Sequence, residues 1–260
     1  MRNQRQDEIM KILTENRMVK ACDLVRKFGV SMETIRRDLK YLEKEGYLTR
    51  AYGGAVAKSM HGLEPEYTFR EIKNYEKKIA IGREAAQLVE DGDTIIIDLG
   101  TTTLEFAKFL RTCKKLTVFT NSIQIAWELT KNAGIRVILL GGDVRPGELS
   151  TSGFLAEDSI DRFHVDKVFL GVGGFTIGYG IGDYHMEETN LRRHYVEHAQ
   201  KVIALADYSK FGVKTLNHVC DIKNIDILVT DQEADKKLIA ELRRRGVQVI
   251  AAHVSVSDMS

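Results

Sequence analysis

Small, polar and glycine residues recur in this chain directly after short apolar runs. Asp98-Leu99-Gly100-Thr101-Thr102-Thr103 follows an apolar run at 94–97, Thr120-Asn121-Ser122 follows 116–119, and Gly141-Gly142-Asp143 follows 137–140. Gly173-Gly174, Asp207-Tyr208-Ser209-Lys210 and Thr230-Asp231 close three more such runs. Their chemistry suits a small anionic ligand. Gly100 lets the backbone approach a ligand closely, and Thr101, Thr102 and Thr103 bring hydroxyls and N–H groups to a helix start, where an anion is favoured. Lys210 adds a point charge for phosphate. Turn composition alone accounts for any one of these loops. Asp98 in mid-loop and Lys210 after Ser209 are required by no turn. The candidate ligand contacts are therefore Asp98, Gly100, Thr101, Thr102, Thr103, Thr120, Asn121, Gly141, Gly142 and Lys210.

A second set of chemical groups lies near the N-terminus. Ile35, Leu39 and Leu42 fall on one side of a helix expected over 32–45, and at about 100° per residue Arg37 and Lys44 fall nearly opposite. Thr34 and Tyr41 flank that outer face, and Arg36 sits on its other edge. Such a face offers cations to phosphates and forked donors to guanine. Ser31 is placed to cap the helix. Arg50 and Tyr52 lie in a short hairpin just beyond it. The candidate polyanion contacts are Ser31, Thr34, Arg36, Arg37, Lys40, Arg50 and Tyr52.

The elements that position these groups can be read from periodicity. An amphipathic helix is expected over 6–15, with Ile9, Ile12 and Leu13 inward, and a second over 21–28, with Leu24, Val25 and Phe28 inward. Gly29 follows, where a helix ends on a left-handed residue. Two helices joined by a short Gly-containing turn form a helix-turn-helix. Two short strands around Tyr52-Gly53-Gly54 make a wing. Residues 59–75 read as a linker and the start of a connecting helix, with Gly62 and Pro65 and a helix pattern over 70–88. Beyond it, β-branched runs at 94–97, 116–119, 137–140, 168–172, 202–205, 227–229 and 247–250 alternate with helix-length segments. This indicates an α/β body, 76–260, with a mostly parallel sheet covered on both faces. In open sheets of this kind ligands bind at the carboxyl ends of the strands.

Composition narrows the class. The 260 residues carry a net charge of +1, but residues 1–58 hold +5 and the remainder −4. A basic head on an acidic body points to a polyanion partner for the head. Three scattered cysteines give no disulfide framework and no zinc spacing. The polar N-terminus is no secretory signal, and no apolar run reaches membrane-spanning length. A cytoplasmic location and no membrane partner are expected.

Other motifs are set aside. His194-Tyr195-Val196-Glu197-His198 fits His-x-x-Glu-His, but Glu233 and Glu241 downstream are not placed by any helical motif as a third ligand. A solvated crossover helix is expected there, and no metal. Gly171-x-Gly173-Gly174 lacks the third glycine of a dinucleotide fingerprint, and no phosphate-binding Gly-x-x-x-x-Gly-Lys-Ser/Thr exists. No cofactor is expected. Trp127 reads as a core residue.

The run Val30-Ser31-x-x-Thr34-Ile35-Arg36-Arg37-Asp38-Leu39-x-x-Leu42-Glu43-x-x-Gly46-x-Leu48-x-Arg50-x-x-Gly53-Gly54-Ala55 resembles the DNA-binding module of the DeoR family of bacterial regulators. Tyr52 replaces the usual His, and Lys20 stands where a Ser/Thr cap is common. Asp98-x-Gly100-Thr101-Thr102, Thr117-Val118-x-Thr120-Asn121-Ser122, Gly141-Gly142, Glu188 and Asp207-x-Ser209-Lys210-Phe211-Gly212 resemble the sensor domain of that family. The resemblance spans essentially the whole chain. It implies a winged helix-turn-helix over 1–58, a sensor similar in fold to ribose-5-phosphate isomerase, a phosphorylated sugar or sugar-derived effector touching Glu188 as well, a double-stranded DNA operator, and a homo-oligomer. A repressor of a carbohydrate-catabolism operon, not an enzyme, is expected. The alternative is a sugar-phosphate isomerase with an appended head, using Asp98 and Glu188 as acid and base and Lys210 for phosphate.

Overall fold

The computed structural model describes residues 4–16, 18–45, 47–51, 53–57 and 64–255. The chain divides into two compact units, Met1–Lys73 and Asn74–Ser260.

The first unit begins with helix α1, Gln4–Asn16, then strand β1, Met18–Lys20, and helices α2, Ala21–Phe28, and α3, Met32–Lys44. Strands β2, Leu48–Ala51, and β3, Gly54–Ala57, follow, and then helix α4, Tyr67–Ile72. Gly29 closes α2 in the left-handed conformation (φ 62°), and its N–H bonds Val25 O. Ser31 caps α3, its Oγ accepting from Thr34 N at 3.2 Å. Lys20 precedes α2 and makes no side-chain cap bond, as its departure from Ser/Thr implies. Ile9, Leu13, Leu24, Ile35, Leu39 and Leu42 interlock with Val19, Leu48 and Ala55 in one small core. The wing has three strands in the order β1-β3-β2, not two. The three residues of β1 pair antiparallel with β3, and Met-Val-Lys is too short to show a period of its own.

The second unit opens with helix α5, Tyr75–Ala86. The single helix expected over 70–88 is thus two helices, broken where Asn74 takes φ 56°. Then come β4, Thr94–Ile97, α6, Thr101–Phe109, β5, Leu116–Thr120, α7, Ile123–Leu129, and β6, Ile135–Leu139. Two short strands, β7, Asp143–Arg145, and β8, Ser150–Ser152, form an antiparallel pair. They lead to helix α8, Phe154–Ile160, and strand β9, Val165–Gly171. Next are β10, Gly174–Thr176, β11, Gly180–Asp183, helix α9, Met186–His198, and β12, Ala199–Leu205. The unit ends with β13, Asn217–Cys220, β14, Ile227–Asp231, α10, Lys236–Arg244, and β15, Gln248–Ala252.

Seven strands form one sheet in the order β15-β14-β12-β9-β4-β5-β6, and every pairing in it is parallel. Side chains alternate between its faces, as strand geometry requires. Ile96, Val168, Leu170, Val202 and Ala204 pack with Leu191 and Tyr195 of α9 and Leu242 of α10. Ile95, Ile97, Phe169, Ile203 and Leu205 pack on the other side with Ala80 and Ile81 of α5 and Phe106 of α6. Each fully buried isoleucine of β4 contributes about 2 kcal/mol. The small sheet β10-β11-β13 lies apart from the main one. Trp127, expected in the core, is 72% exposed. Helix α7 buries Ile125, Ala126, Glu128 and Leu129 and turns Trp127 outward.

The chain steps outward from β4 through β5 to β6, then crosses to the other side of β4 with β9 and runs outward to β15. The order therefore reverses between β4 and β9, the place where a doubly covered sheet opens a crevice beyond its strand ends.

Candidate functional site

On the first unit, Arg36, Arg37 and Lys40 are exposed along α3, with Thr34 half-buried beside them. The opposite face of α3 is fixed by packing and by one buried acid. Asp38 accepts from Arg5 Nε at 2.5 Å and Gln6 Nε2 at 2.8 Å, tying α3 to α1. Ser31 and Thr34 hydroxyls lie 2.9 Å apart, so both serve the helix start. Arg50 is exposed but engaged. Its backbone N–H and Nε donate to the two oxygens of Glu43, at 2.8 and 2.7 Å. Burial is the largest single influence and raises the Glu43 carboxyl, but the Arg50 bonds and charge together outweigh it and hold the group below its ordinary value. Arg50 thus locks β2 to α3. Tyr52 lies outside the described residues.

On the second unit the polar loops gather where the strand order reverses. Asp98, directly after β4, is fully buried. Its Oδ2 accepts from Gly171 N at 3.0 Å and Arg192 Nε at 2.7 Å. Its Oδ1 is buried with no hydrogen-bond partner. Arg192, from α9, also places Nη1 2.9 Å from Asp183 Oδ2, an ion-pair contact off hydrogen-bond alignment. Glu188, one turn earlier on α9 and fully buried, accepts from Arg145 Nη1 at 2.9 Å and Ser150 Oγ at 2.8 Å. Three carboxylates thus share two guanidinium groups. Burial pushes the Asp98 carboxyl up to about 6 against the pull of Arg192, and Asp183 and Glu188 add to the rise.

Gly100 precedes α6 at φ 151°, a conformation that excludes a side chain at low cost. No side chain caps α6. The N–H groups of Thr101, Thr102 and Thr103 have no partner within the helix by its own geometry. Thr103 Oγ1 donates to Gly100 O at 2.9 Å. Thr120 and Asn121 are occupied by the protein. Thr120 Oγ1 accepts from Ser122 N at 3.1 Å, while Asn121 accepts from Leu99 N at 3.2 Å and donates to Thr151 O at 3.1 Å. Asn121 thereby holds the Asp98–Gly100 loop against β8. Gly142 is likewise structural: a Cβ there would stand 2.3 Å from Ser152 O, whereas one on Gly141 would meet nothing within 4 Å.

Lys210 is half-buried on a single 3-10 turn, Tyr208–Lys210, after β12. Asp207 Oδ1 accepts from Ser209 N at 3.0 Å and from Asn74 Nδ2 at 2.7 Å. Burial raises the Asp207 carboxyl, but Lys210, the Ser209 bonds and Lys78 more than offset it. Lys78, a buried lysine of α5, is absent from the sequence-based candidates, as are Arg192, Arg145, Ser150 and Asp183. Lys78 shares the inward stripe of Ile81, Gly82 and Ala85, so a cation at an apolar helical spacing was the available signal. β12 stands two strands from β4, roughly 10 Å by sheet spacing.

A winged helix-turn-helix with an exposed cationic helix face, joined to an α/β unit that gathers buried polar groups at its switch point, defines a ligand-sensing, DNA-binding transcription regulator. Residues 5–60 match the DeoR-like helix-turn-helix domain and residues 73–232 the DeoR C terminal sensor domain. The HTH-type transcriptional regulator GolR of Listeria innocua serovar 6a is 36% identical over 246 residues, 95% of this chain and 97% of GolR. The HTH-type transcriptional repressor GlcR of Bacillus subtilis strain 168 is 34% identical over 242 residues, 93% of each chain. Ribose 5-phosphate isomerase A of Methanocaldococcus jannaschii superposes with a TM-score of 0.41 at 18% identity, covering 55% of this chain and 56% of the isomerase. The chain belongs to the DeoR family of transcriptional regulators. Its full-length relatives are regulators, and the isomerase alternative is set aside on that ground. No helix among the described residues is long and apolar enough to cross a membrane.

Proposed function

We propose that this protein is a cytoplasmic repressor of a carbohydrate-catabolism operon and that a phosphorylated sugar, or an intermediate derived from one, releases it from its operator. Helix α3 enters a major groove with Arg36, Arg37 and Lys40 on phosphates and base edges, Ser31 and Thr34 at its leading end, and the wing residues Arg50 and Tyr52 on the flanking backbone. Arg50 keeps its terminal guanidinium nitrogens for this contact beyond the Glu43 bonds. The effector lies in the crevice of the second unit. Gly100, Thr101, Thr102 and Thr103 receive an anionic group at the start of α6, Lys210 and Lys78 supply cations, and Asp98 and Glu188 bind hydroxyls. Gly141 lines the crevice without obstructing it, while Thr120, Asn121 and Gly142 fix its walls.

The observation that carries the effector site is Asp98 Oδ1, a buried acceptor with no partner, beside an uncapped helix start at the switch point. Buried polar atoms are almost always paired, so a missing donor is a strong cue, and a sugar hydroxyl supplies one. The sign of regulation draws support from GlcR, whose name is that of a repressor. A homo-oligomer, dimer or larger, presents two heads to paired half-sites. Apolar side chains left exposed on elements at the β6 edge, among them Trp127, Leu139, Val144, Phe154 and Leu155, support a surface for it.

Thermal-shift measurement of the full-length protein against a panel of sugar phosphates tests the site, since a ligand selective for the native state raises the melting temperature. A stabilising ligand is expected among phosphorylated, not unphosphorylated, sugars. Lys210→Ala should abolish that shift while DNA binding stays within twofold of the parent, and a normal shift in this variant would remove Lys210 from the site.

A further inference from the structure

The two histidines of His194-Tyr195-Val196-Glu197-His198 do not stand alone on a solvated helix. Asp161, the residue that ends α8, lies against both. Its Oδ1 is 2.5 Å from His194 Nδ1 and 3.2 Å from His198 Nε2. One ligand atom from each of the three side chains falls within 4.8 Å of the other two. The third ligand sought downstream at Glu233 or Glu241 is instead supplied from 33 residues upstream of His194, where α8 hands the chain to β9.

We propose that Asp161, His194 and His198 bind a divalent transition-metal ion, with zinc the first candidate. Histidines at i and i+4 project from one helix face a turn apart, the spacing with which two imidazoles hold one cation. Two imidazole nitrogens and one carboxylate oxygen suit zinc, nickel or cobalt. Magnesium and calcium favour all-oxygen sets. Each imidazole would bind as the neutral ring, its proton on the other nitrogen. The His164 ring lies 5.2 Å from the His198 ring, centroid to centroid, and restricts its rotation. Side-chain exposures of 44%, 30% and 19% for Asp161, His194 and His198 leave one side of the trio open, so water completes the coordination. The ion staples the end of α8 to the last turn of α9. Around α9 this face lies about a quarter-turn or more from the one carrying Glu188 and Arg192, so the proposal stands whether or not the effector reading holds.

The test uses full-length protein treated with EDTA, dialysed, and titrated with zinc chloride by calorimetry. One ion per chain at micromolar affinity is expected, together with a rise in melting temperature at excess zinc. Cobalt loading should give visible d–d bands without thiolate charge transfer, which keeps Cys22 out of the site. Asp161→Asn keeps a hydrogen-bond acceptor and should weaken binding by roughly tenfold or more. His194→Asn and His198→Asn should each abolish it. No zinc uptake overturns the proposal. So does unchanged affinity in Asp161→Asn, which reduces the trio to an ordinary pair of helix histidines, or stoichiometric binding that survives both histidine variants. Melting curves without metal establish that each variant folds, and Asp161→Asn decides the matter if a histidine variant does not.

Discussion

Asp98 concentrates the chemistry of the second unit in one side chain. It is fully buried, bonded on one oxygen to Gly171 and Arg192, and unpaired on the other. Its carboxyl is raised from 3.8 to about 6 in the folded protein, so the native state binds this proton more tightly than the unfolded chain. The resulting stabilisation is present at low pH and is lost as pH rises from about 4 through about 6. The melting temperature of the parent relative to Asp98→Asn, which has no such proton to lose, should therefore fall across that window. Parallel pH profiles would show that Arg192 keeps Asp98 ionised throughout. On the first unit, Arg37 is exposed and makes no hydrogen bond or ion pair among the described residues. Arg37→Ala should leave the melting temperature unchanged, weaken operator binding roughly tenfold and reduce the salt slope by about one. Unchanged affinity at moderate salt would put a different face of α3 on the DNA.

At the scale of elements, the break between α4 and α5 matters more than either helix. Asn74 begins α5 in a left-handed conformation and bonds Asp207, whose turn carries Lys210. A shift of that turn would act on Asn74, the first residue of the second unit. Asn74→Gly tolerates the same backbone angle and removes only the side-chain bond. Effector binding should survive, while the effector needed for half-release from DNA should rise about fivefold, a coupling of roughly 1 kcal/mol. Equal half-release concentrations would show that the signal runs elsewhere. This break was invisible in the sequence, because nothing in Ile72-Lys73-Asn74-Tyr75 stops a helix pattern. The seven strands of the main sheet were legible, since each carries a short apolar run, buried in the central strands β4, β9 and β12 and partly exposed in the edge strands β6 and β15. Strands β7, β8, β10 and β11 were not: Asp-Val-Arg, Ser-Thr-Ser, Gly-Phe-Thr and Gly-Ile-Gly-Asp are too short and mixed to carry a period. The loops at the strand ends were legible as polar segments that gather at one end of the sheet. Their inner division was not, because which of Thr120, Asn121 and Gly142 serve the protein depends on partners such as Thr151 and Ser152 that come from another element.

The molecule as a whole separates charge by task, a head of +5 on a body of −4. Such a division favours DNA at one end and keeps the remainder off it. In the proposed homo-oligomer, paired heads would multiply the contact, and operator half-sites about 34 Å apart would follow from one helical turn of DNA. Phe154, 74% exposed at the start of α8, is a test of the surface that would pair them. Phe154→Glu should lower the mass seen by light scattering and weaken operator binding without unfolding the chain, and an unchanged mass would place the interface on another face.

In the proposed function one chain couples a cationic helix in a DNA groove to an anionic metabolite at the strand ends of the sheet. Fluorescence anisotropy of the full-length protein on its own promoter fragment, across a salt series with and without the sugar phosphate found by thermal shift, reads both halves at once. With this coupling, the logarithm of affinity should fall linearly with the logarithm of salt, and adding the ligand should cost a further tenfold or more. Binding indifferent to salt, or a stabilising ligand that leaves the DNA affinity unmoved, would contradict it.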